Sequence, residues 1–302
     1  LKVGNSCYFC LMDSFTQIAL GIAVAEVCAG KTLKNKTFLY GAVLGTLPDL
    51  DILVGLFLNP VDGVQIHRGL SHSVVLFLFL SPLLGWLISK IEKNNIRFFQ
   101  ATTMVFYCLL THVLLDLFTS WGTQIAWPLP YRFALKTIFV IDPLYTIPLL
   151  IALVMVWKTK SVSLRRKYII KGLYFSSAYL VLSCCIKLYA LNQFEKALNA
   201  QGISYTEIIV KPTAFNLILW NANIATPHAY LLSDYSLFDR QPISFRNYSK
   251  NTTLESQLTG NPDFEKLKII SEGWYIISQH NETLYFNDLR FGLLNDNSLQ
   301  PQ

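Results

Sequence analysis

The chain has 302 residues, of which 52% are hydrophobic and only 15% are charged. This composition excludes an ordinary soluble domain, in which about 25% of residues are charged. The net charge of +6 is unevenly spread, because residues 1–190 carry 17 Lys or Arg against 8 Asp or Glu, whereas residues 191–302 carry 8 against 11. The basic residues do not alternate with aromatic ones along any stretch, so we expect no nucleic-acid partner.

Long apolar segments separated by short polar loops fill the first part of the chain and predict six membrane helices. Glu26 lies in the first, and the second ends in Pro48-Asp49-Leu50-Asp51, so one or both are candidates for a re-entrant or tilted helix. The alternative, a soluble helical core, is disfavoured by the nearly uncharged segments. The predicted helices span 14–30, 37–58, 73–89, 98–118, 139–157 and 168–190.

The loops between these segments predict the orientation, because positively charged loops stay in the cytoplasm. Twelve Lys or Arg residues follow the first, third and fifth helices, whereas the opposite side holds only Lys2, Arg68, Arg132 and Lys136. The N-terminus and everything after residue 190 are therefore predicted to lie on the extracytoplasmic side of the membrane.

The composition changes after Ala190, where a helical extension over Leu191–Gln201 precedes short β-rich runs bounded by turn residues. The predicted fold is mainly α: a polytopic bundle of about five to six membrane helices, followed by a small C-terminal β-rich extracytoplasmic domain. Residues 1–11 are interpreted as an extension upstream of Met12, residues 12–190 as the membrane domain, and residues 191–302 as the outer domain. The predicted strands are Ile203–Val210, Phe215–Ile224, Ala229–Leu232, Leu267–Ser278 and Thr283–Phe286.

His112 and Asp116 are four residues apart on the fourth predicted helix, so both side chains project from one face. Such a pair, buried in a membrane, either binds a divalent metal ion or forms a structural hydrogen bond, and the pair alone does not distinguish the two.

Two further groups carry the same chemistry. Asp49 and Asp51 follow Pro48, where an extended or turn backbone would present both carboxylates. His67 and His72 are five residues apart, which on a helix would put them on different faces, so Gly69 is predicted to break the backbone and let the rings converge.

By the predicted orientation all of these residues lie at the outer ends of their helices, together with Asp13 and Asp142. A shared site for one to three divalent ions follows, with zinc first and manganese or magnesium as alternatives. Arg68 is the candidate for contacting a phosphoryl or acyl oxygen, and Thr119 and Asp142 are candidates for supporting the ligands. The predicted ligands are Asp49, Asp51, His67, His72, His112 and Asp116, with Asp13 as a further ligand or general base.

Four motifs in this order resemble those of the YdjM family of bacterial inner-membrane proteins, which are described as metal-dependent hydrolases and sometimes as LexA-binding. The motifs are Met12-Asp13-Ser14-Phe15-Thr16-Gln17, Gly45-Thr46-Leu47-Pro48-Asp49-Leu50-Asp51, His67-Arg68-Gly69-Leu70-Ser71-His72-Ser73 and His112-Val-Leu-Leu-Asp116-Leu-Phe-Thr119-Ser-Trp-Gly122-Thr123.

The resemblance implies metal-site roles for Asp13 and for the six predicted ligands. The family pattern does not include the residues before Met12, and Thr46 stands where a smaller residue is expected. The His112–Asp116 helix is also similar to one in zinc-dependent phospholipases C.

We therefore expect a membrane-embedded metal-dependent hydrolase that acts in the lipid bilayer on a phospholipid or another lipid phosphoester. One alternative is a transporter or sensor in which the same residues bind the ion without catalysis. The other is an envelope interaction protein in which residues 191–302 carry the function.

Overall fold

The computed structural model describes residues 2–3, 14–280 and 283–291, although it does not describe the side chains of residues 2, 3 and 280. Asp13 and Met12 lie outside the described residues. Eight helices precede the first long strand. They are α1 Ser14–Leu33, α2 Lys36–Thr46, α3 Asp51–Gly55, α4 Pro60–Ile66, α5 Val74–Ile91, α6 Phe98–Asp116, α7 Pro143–Lys158 and α8 Val162–Ala200.

Four of these helices, α1, α5, α6 and α8, are long and apolar enough to cross a membrane. A fifth span results if α2 and the segment Pro48–Gly55, which are bent by 49° relative to each other, count as one. Helix α7 is apolar but has only 16 residues. The mainly helical membrane fold is confirmed, whereas the count of six spans and their orientation stay predictions.

The described residues form two compact units. The helical unit comprises residues 14–135 and 140–182, and its core consists of α1 packed against α2 and α6. The backbones of α1 and α2 touch, because a Cβ atom added to Gly21 would lie 2.3 Å from the carbonyl oxygen of Gly41. Glycine is therefore required for this close approach.

The second unit comprises residues 2–3, 136–139, 183–280 and 283–291 of the described chain, and α8 contributes to both units. Two sheets form it, with strand order β2-β3-β4-β5 and β1-β7-β6, and only the pairing of β1 with β7 is parallel among the described strands. The strands are β1 Lys2–Val3, β2 Glu207–Pro212, β3 Leu219–Ala225, β4 Ala229–Ser236, β5 Arg246–Ser249, β6 Tyr275–His280 and β7 Thr283–Asp288.

One strand prediction in this unit is partly wrong. Leu267–Ile270, predicted as strand, ends helix α10, Pro262–Ile270, which follows the short helix α9, Thr252–Ser256. Asn261 caps α10 by accepting hydrogen bonds from the backbone of Asp263 and Phe264, and Pro262 occupies its first turn. This start signal outweighs the local β propensity, and strand β6 begins only at Tyr275. Strand β5 was not predicted.

Candidate metal centre

A break in the second apolar segment presents the first carboxylate. Helix α2 ends at Thr46, and Pro48 begins a 3₁₀ turn that runs to Leu50 and carries Asp49. Proline suits the first turn of a helix because its missing N–H would have no partner there. The break therefore places Asp49 at the junction of two helical segments.

A second irregular segment brings in His72. Arg68 has a φ of 58°, which is the left-handed region, and a 3₁₀ turn over Leu70–His72 follows it. Gly69, which was predicted to break the backbone, has a φ of −92°. Its ψ of −119° lies outside the helix and strand regions, and a Cβ atom added to Gly69 would lie 2.9 Å from the carbonyl oxygen of Ile66, so Arg68 and Gly69 together turn the chain. The Arg68 N–H donates to Asp51 Oδ2 at 3.1 Å.

Four side chains from different parts of the helical unit converge on one point: Asp49, His72, His112 and Asp116. Their nearest atoms are carboxylate oxygens and imidazole Nε2 atoms. His72 Nε2 lies 3.3 Å from Asp49 Oδ1, 3.2 Å from Asp116 Oδ2 and 3.3 Å from His112 Nε2. His112 Nε2 lies 3.5 Å from both of these carboxylate oxygens.

Hydrogen bonds on the far side of each ring fix the tautomers of the two histidines. His112 Nδ1 lies 2.7 Å from the carbonyl oxygen of Gly45, which can only accept, so this nitrogen carries the proton. Ser71 donates its only hydroxyl proton to Asp51 Oδ2 at 2.5 Å. His72 Nδ1 lies 2.9 Å from Ser71 Oγ, so the nitrogen must donate the hydrogen bond to Ser71 Oγ. Metal ligation requires neutral imidazoles, and in a neutral ring with the proton on Nδ1 the Nε2 atom presents a lone pair to the shared point.

The four converging atoms are thus all acceptors. Asp49 Oδ1 and Asp116 Oδ2 are buried and have no hydrogen-bond partner among the described residues. Such an arrangement is costly unless a cation occupies its centre. A tetrahedral zinc ion with bonds of 2.0–2.1 Å requires ligand atoms about 3.3 Å apart. Five of the six distances among the four atoms are 3.2–3.5 Å, and the sixth, between the two carboxylate oxygens, is within 4.8 Å. The cluster could hold one divalent ion.

Asp51 and His67, also predicted as ligands, lie beside this group and not within it. Asp51 Oδ1 accepts from His67 Nδ1 at 2.8 Å, and Asp51 Oδ2 accepts from Ser71. Burial lowers the pKa of His67, although its hydrogen bond to Asp51 opposes the shift. In this arrangement Asp51 orients the two histidine-bearing residues, and direct ligation by Asp51 and His67 stays a prediction.

Three side chains surround Asp116. Arg68 Nη2 lies 3.2 Å from Asp116 Oδ1, and Gln17 Nε2 donates to the same oxygen at 2.9 Å. Arg68 Nη1 donates to Thr119 Oγ1 at 2.9 Å, and Thr119 donates in turn to the Asp116 carbonyl. These contacts hold one oxygen of Asp116 and leave the other, Oδ2, facing the shared point.

Asp142 lies further away. It caps α7 by accepting from the Leu144 backbone, and its other oxygen accepts from Tyr179 at 2.8 Å. Its link to the cluster is indirect, through Thr146, which bonds to the Asp142 carbonyl and to Thr16 beside Gln17.

Sequence reasoning missed two residues of the centre, Gln17 and Ser71. Both lie inside the motifs that carry the family resemblance, and this position was the available signal. Neither residue type is a usual metal ligand, so a search for ligands passes over them.

Comparisons with known proteins agree with this geometry. The profile described as "YdjM inner membrane protein" matches residues 12–194, which is more than half of the chain and includes every residue of the centre. The uncharacterized protein YfhP of Bacillus subtilis (strain 168) is 24% identical over 72% of this chain and 67% of its own length. The inner membrane protein YbcI of Escherichia coli (strain K12) is 31% identical over 38% of this chain and 66% of its own length.

The chain thus covers about two thirds of each of these relatives. No solved structure matches it. The match of the family profile over the helical unit and its His and Asp motifs shows that the chain belongs to the YdjM family of inner membrane proteins.

Proposed function

We propose that this protein is a membrane-embedded, metal-dependent hydrolase that cleaves a phosphoester of a phospholipid or a related lipid on the extracytoplasmic side. The observation that carries the proposal is the convergence of four acceptor atoms beside the buried guanidinium of Arg68. A bound divalent ion would supply Lewis-acid chemistry there, activating water and neutralising charge on a phosphoryl oxygen.

The depth of the centre suits a lipid headgroup. His112 lies fourteen residues after Phe98, the start of α6, which corresponds to about 21 Å at 1.5 Å per residue. The hydrocarbon core of a bilayer is about 30 Å thick, so a centre that far from the cytoplasmic boundary would lie in the outer leaflet, about 9 Å short of the level where acyl chains join the headgroup. The basic residue Arg97 at the start of α6 supports placing that end in the cytoplasm.

The accessible edge of the centre is apolar. The Asp49 side chain keeps 11% of its surface accessible, whereas those of His72, His112 and Asp116 keep 1% or less. Leu50 and Leu53, which follow Asp49, are about half exposed, and Phe57 is 90% exposed. Apolar residues bordering the accessible ligand favour a substrate that carries acyl chains over a soluble phosphate.

Arg68 is the protein's own positive charge at this site. Its guanidinium contacts Asp116 and Thr119, so it is held in one orientation next to the candidate ligands. A fixed, buried guanidinium stabilises negative charge that develops on a phosphoryl oxygen, because nothing must reorganise as the reaction proceeds. Asp13 stays a sequence-based prediction for the general base, since it lies outside the described residues.

The test is turnover of lipid phosphoesters by the purified protein in mixed micelles with zinc restored, beside His112→Ala and the matched control His228→Ala. His228 is an exposed histidine of the second unit. We expect metal-dependent turnover by the wild type and by His228→Ala, and none by His112→Ala. Identical background rates in all three proteins, across lipid phosphoesters and esters, would overturn the proposal.

The alternative of a metal transporter has less support. A transporter needs a hydrated path beyond the metal centre, yet Glu26, the carboxylate further along α1, is held by Arg165 through two hydrogen bonds of 2.7 and 2.8 Å. Zinc uptake by proteoliposomes without any lipid hydrolysis would favour transport over our proposal.

A further inference from the structure

Gln17 is a fully buried amide that touches the metal centre. Its Nε2 donates to Asp116 Oδ1 at 2.9 Å and lies 3.3 Å from the carbonyl oxygen of His112. Both neighbours can only accept, so the amide cannot be turned around without placing oxygen against oxygen. The orientation of Gln17 is therefore fixed by its surroundings.

This orientation leaves Gln17 Oε1 without a hydrogen-bond partner among the residues that the structure describes. Buried amide oxygens are almost always paired with protein or water. Oε1 is buried and shares a carbon atom with Nε2, which contacts the Asp116 carboxylate, so it lies one bond angle away from that contact. The missing partner must be a small hydrogen-bond donor beside Oε1.

We propose that Gln17 belongs to the reaction site and that its Oε1 accepts a hydrogen bond from the attacking water molecule. This inference rests on the proposed hydrolase function. During hydrolysis the water oxygen bonds to phosphorus, the bond from phosphorus to the alcohol oxygen breaks, and one water proton ends on the leaving alcohol. Gln17 takes up no proton, since an amide oxygen is a hydrogen-bond acceptor and not a base at neutral pH; it orients the water.

A purely structural role must be separated from this one. If Gln17 acts only through Nε2, by holding Asp116, its loss weakens metal binding and excess zinc restores the activity. If Oε1 orients water, the turnover number stays low when the metal site is saturated. Saturating zinc therefore restores the turnover number only if Gln17 has the structural role.

The chain offers a matched control in Gln100, which also links α6 to α1. Its Nε2 donates to the Cys28 carbonyl at 3.0 Å and its Oε1 accepts from Thr32 at 3.3 Å, so both ends of this amide are paired within the protein. Gln17→Met and Gln100→Met each remove one amide between the same two helices, buried at Gln17 and half-buried at Gln100, but only the first removes an oxygen that lacks a partner among the described residues.

The experiment compares wild type, Gln17→Met, Gln17→Leu and Gln100→Met in two measurements, and Gln17→Leu serves if Gln17→Met does not fold. At saturating zinc we expect the turnover number of the Gln17 variants to fall about tenfold, the loss of one hydrogen bond, with an unchanged KM. In the cobalt-loaded proteins, without substrate, we expect the visible absorption bands of the Gln17 variants alone to change, because the water near the ion is no longer held.

The outcomes separate the two proposals. Bands and turnover that match the wild type at saturating metal would overturn the role of Gln17 and leave the hydrolase proposal standing. Changed bands in a protein that hydrolyses no lipid would overturn the hydrolase while supporting a water bound at Gln17. Failure of the wild type to bind zinc or cobalt would overturn both.

Discussion

Two buried clusters of charged residues lie in the same helical unit, and both involve α1. In the cluster around Glu26, donors and acceptors match: Arg165 Nε and Nη2 and the Thr37 hydroxyl donate to the two carboxylate oxygens at 2.6–2.8 Å. Arg165 Nη1 donates to Asn35 Oδ1 at 2.6 Å. This cluster is complete as it stands.

The cluster around Asp116 contrasts with it. Two imidazole nitrogens and two carboxylate oxygens face one another, and when both rings are neutral the hydrogen bonds of Gly45 and Ser71 leave no proton between these four atoms. Both clusters combine charge with burial, so neither property identifies a ligand site. The count of hydrogen-bond donors separates them, because with neutral imidazoles only the second cluster has facing acceptor atoms without a donor, an arrangement that suits a metal ion.

The largest expected effect tests the complete cluster. Arg165→Met leaves Glu26 charged and buried without its partner, so we expect the free energy of unfolding to fall by about 3–5 kcal/mol while the metal content stays unchanged. Unfolding in detergent, with zinc analysis of the folded fraction, measures both. The double variant Glu26→Gln/Arg165→Met should recover much of the loss, and a loss of metal in Arg165→Met would contradict the independence of the two clusters.

Lys211, in the second unit, is a buried cation that contrasts with Arg165, because its hydrogen-bond acceptors are neutral backbone carbonyl groups and not a carboxylate. Its Nζ donates to the carbonyl oxygens of Leu289 and Arg290, and burial lowers its pKa to about 8. In the unfolded chain the Lys211 side chain has a pKa near 10.4, so between about pH 8 and pH 10 it is more often protonated in the unfolded than in the folded protein. Folding therefore becomes more favourable as the pH rises through this range. The gain relative to Lys211→Met approaches about 3 kcal/mol.

Hydrogen exchange of strands β2 to β4, compared between wild type and Lys211→Met at each pH, measures this gain. Because Met does not titrate, the variant should lack the rise. A pH dependence that is equal in both proteins would show that Lys211 does not titrate in this range.

Metal binding at the cluster around Asp116 should stabilise the folded protein. With free zinc at one hundred times the dissociation constant, we expect the wild type to gain about 2.7 kcal/mol of stability, and a chelator should remove the gain. Asp49→Asn, which loses a charged ligand with little change in volume, should gain much less. Equal stabilisation of both proteins would place the zinc elsewhere.

The smallest effect concerns Ser71, which holds the His72 tautomer without facing the metal. Ser71→Ala removes the acceptor for His72 Nδ1, and changes to such supporting residues weaken metal binding about 10–100-fold. Competition with a zinc-sensitive dye measures the affinity, and Ser161→Ala, an exposed serine in a loop, is the control. Unchanged affinity in Ser71→Ala would mean that His72 does not need this hydrogen bond.

Much of this architecture could be predicted from the sequence. Apolar length alone located the membrane helices, and Pro48 located the break that carries Asp49. The spacing of His112 and Asp116 correctly indicated side chains that share one helix face, and the two meet in the cluster. These features depend on local patterns, which a single sequence displays.

The remaining features depend on contacts between distant segments. The separation of Asp49 from Asp51 could not be predicted, since two carboxylates two residues apart look alike until His67 and Ser71 are found bonded to one of them. The break at Gly69 could be predicted because glycine is the usual residue there, whereas the left-handed conformation of Arg68 and the hydrogen bond from its N–H to Asp51 could not. Strand β5 pairs only with β4, and its short polar sequence gives no pattern of its own.

The central claim is that the four acceptor atoms form a metal centre, and elemental analysis of the detergent-purified protein tests it most directly. The comparison is between wild type and the double variant His72→Ala/His112→Ala, each analysed after reconstitution with divalent ions. We predict stoichiometric zinc or manganese in the wild type and its loss in the double variant. Equal, near-zero metal in both proteins would contradict the account and show that the cluster is structural.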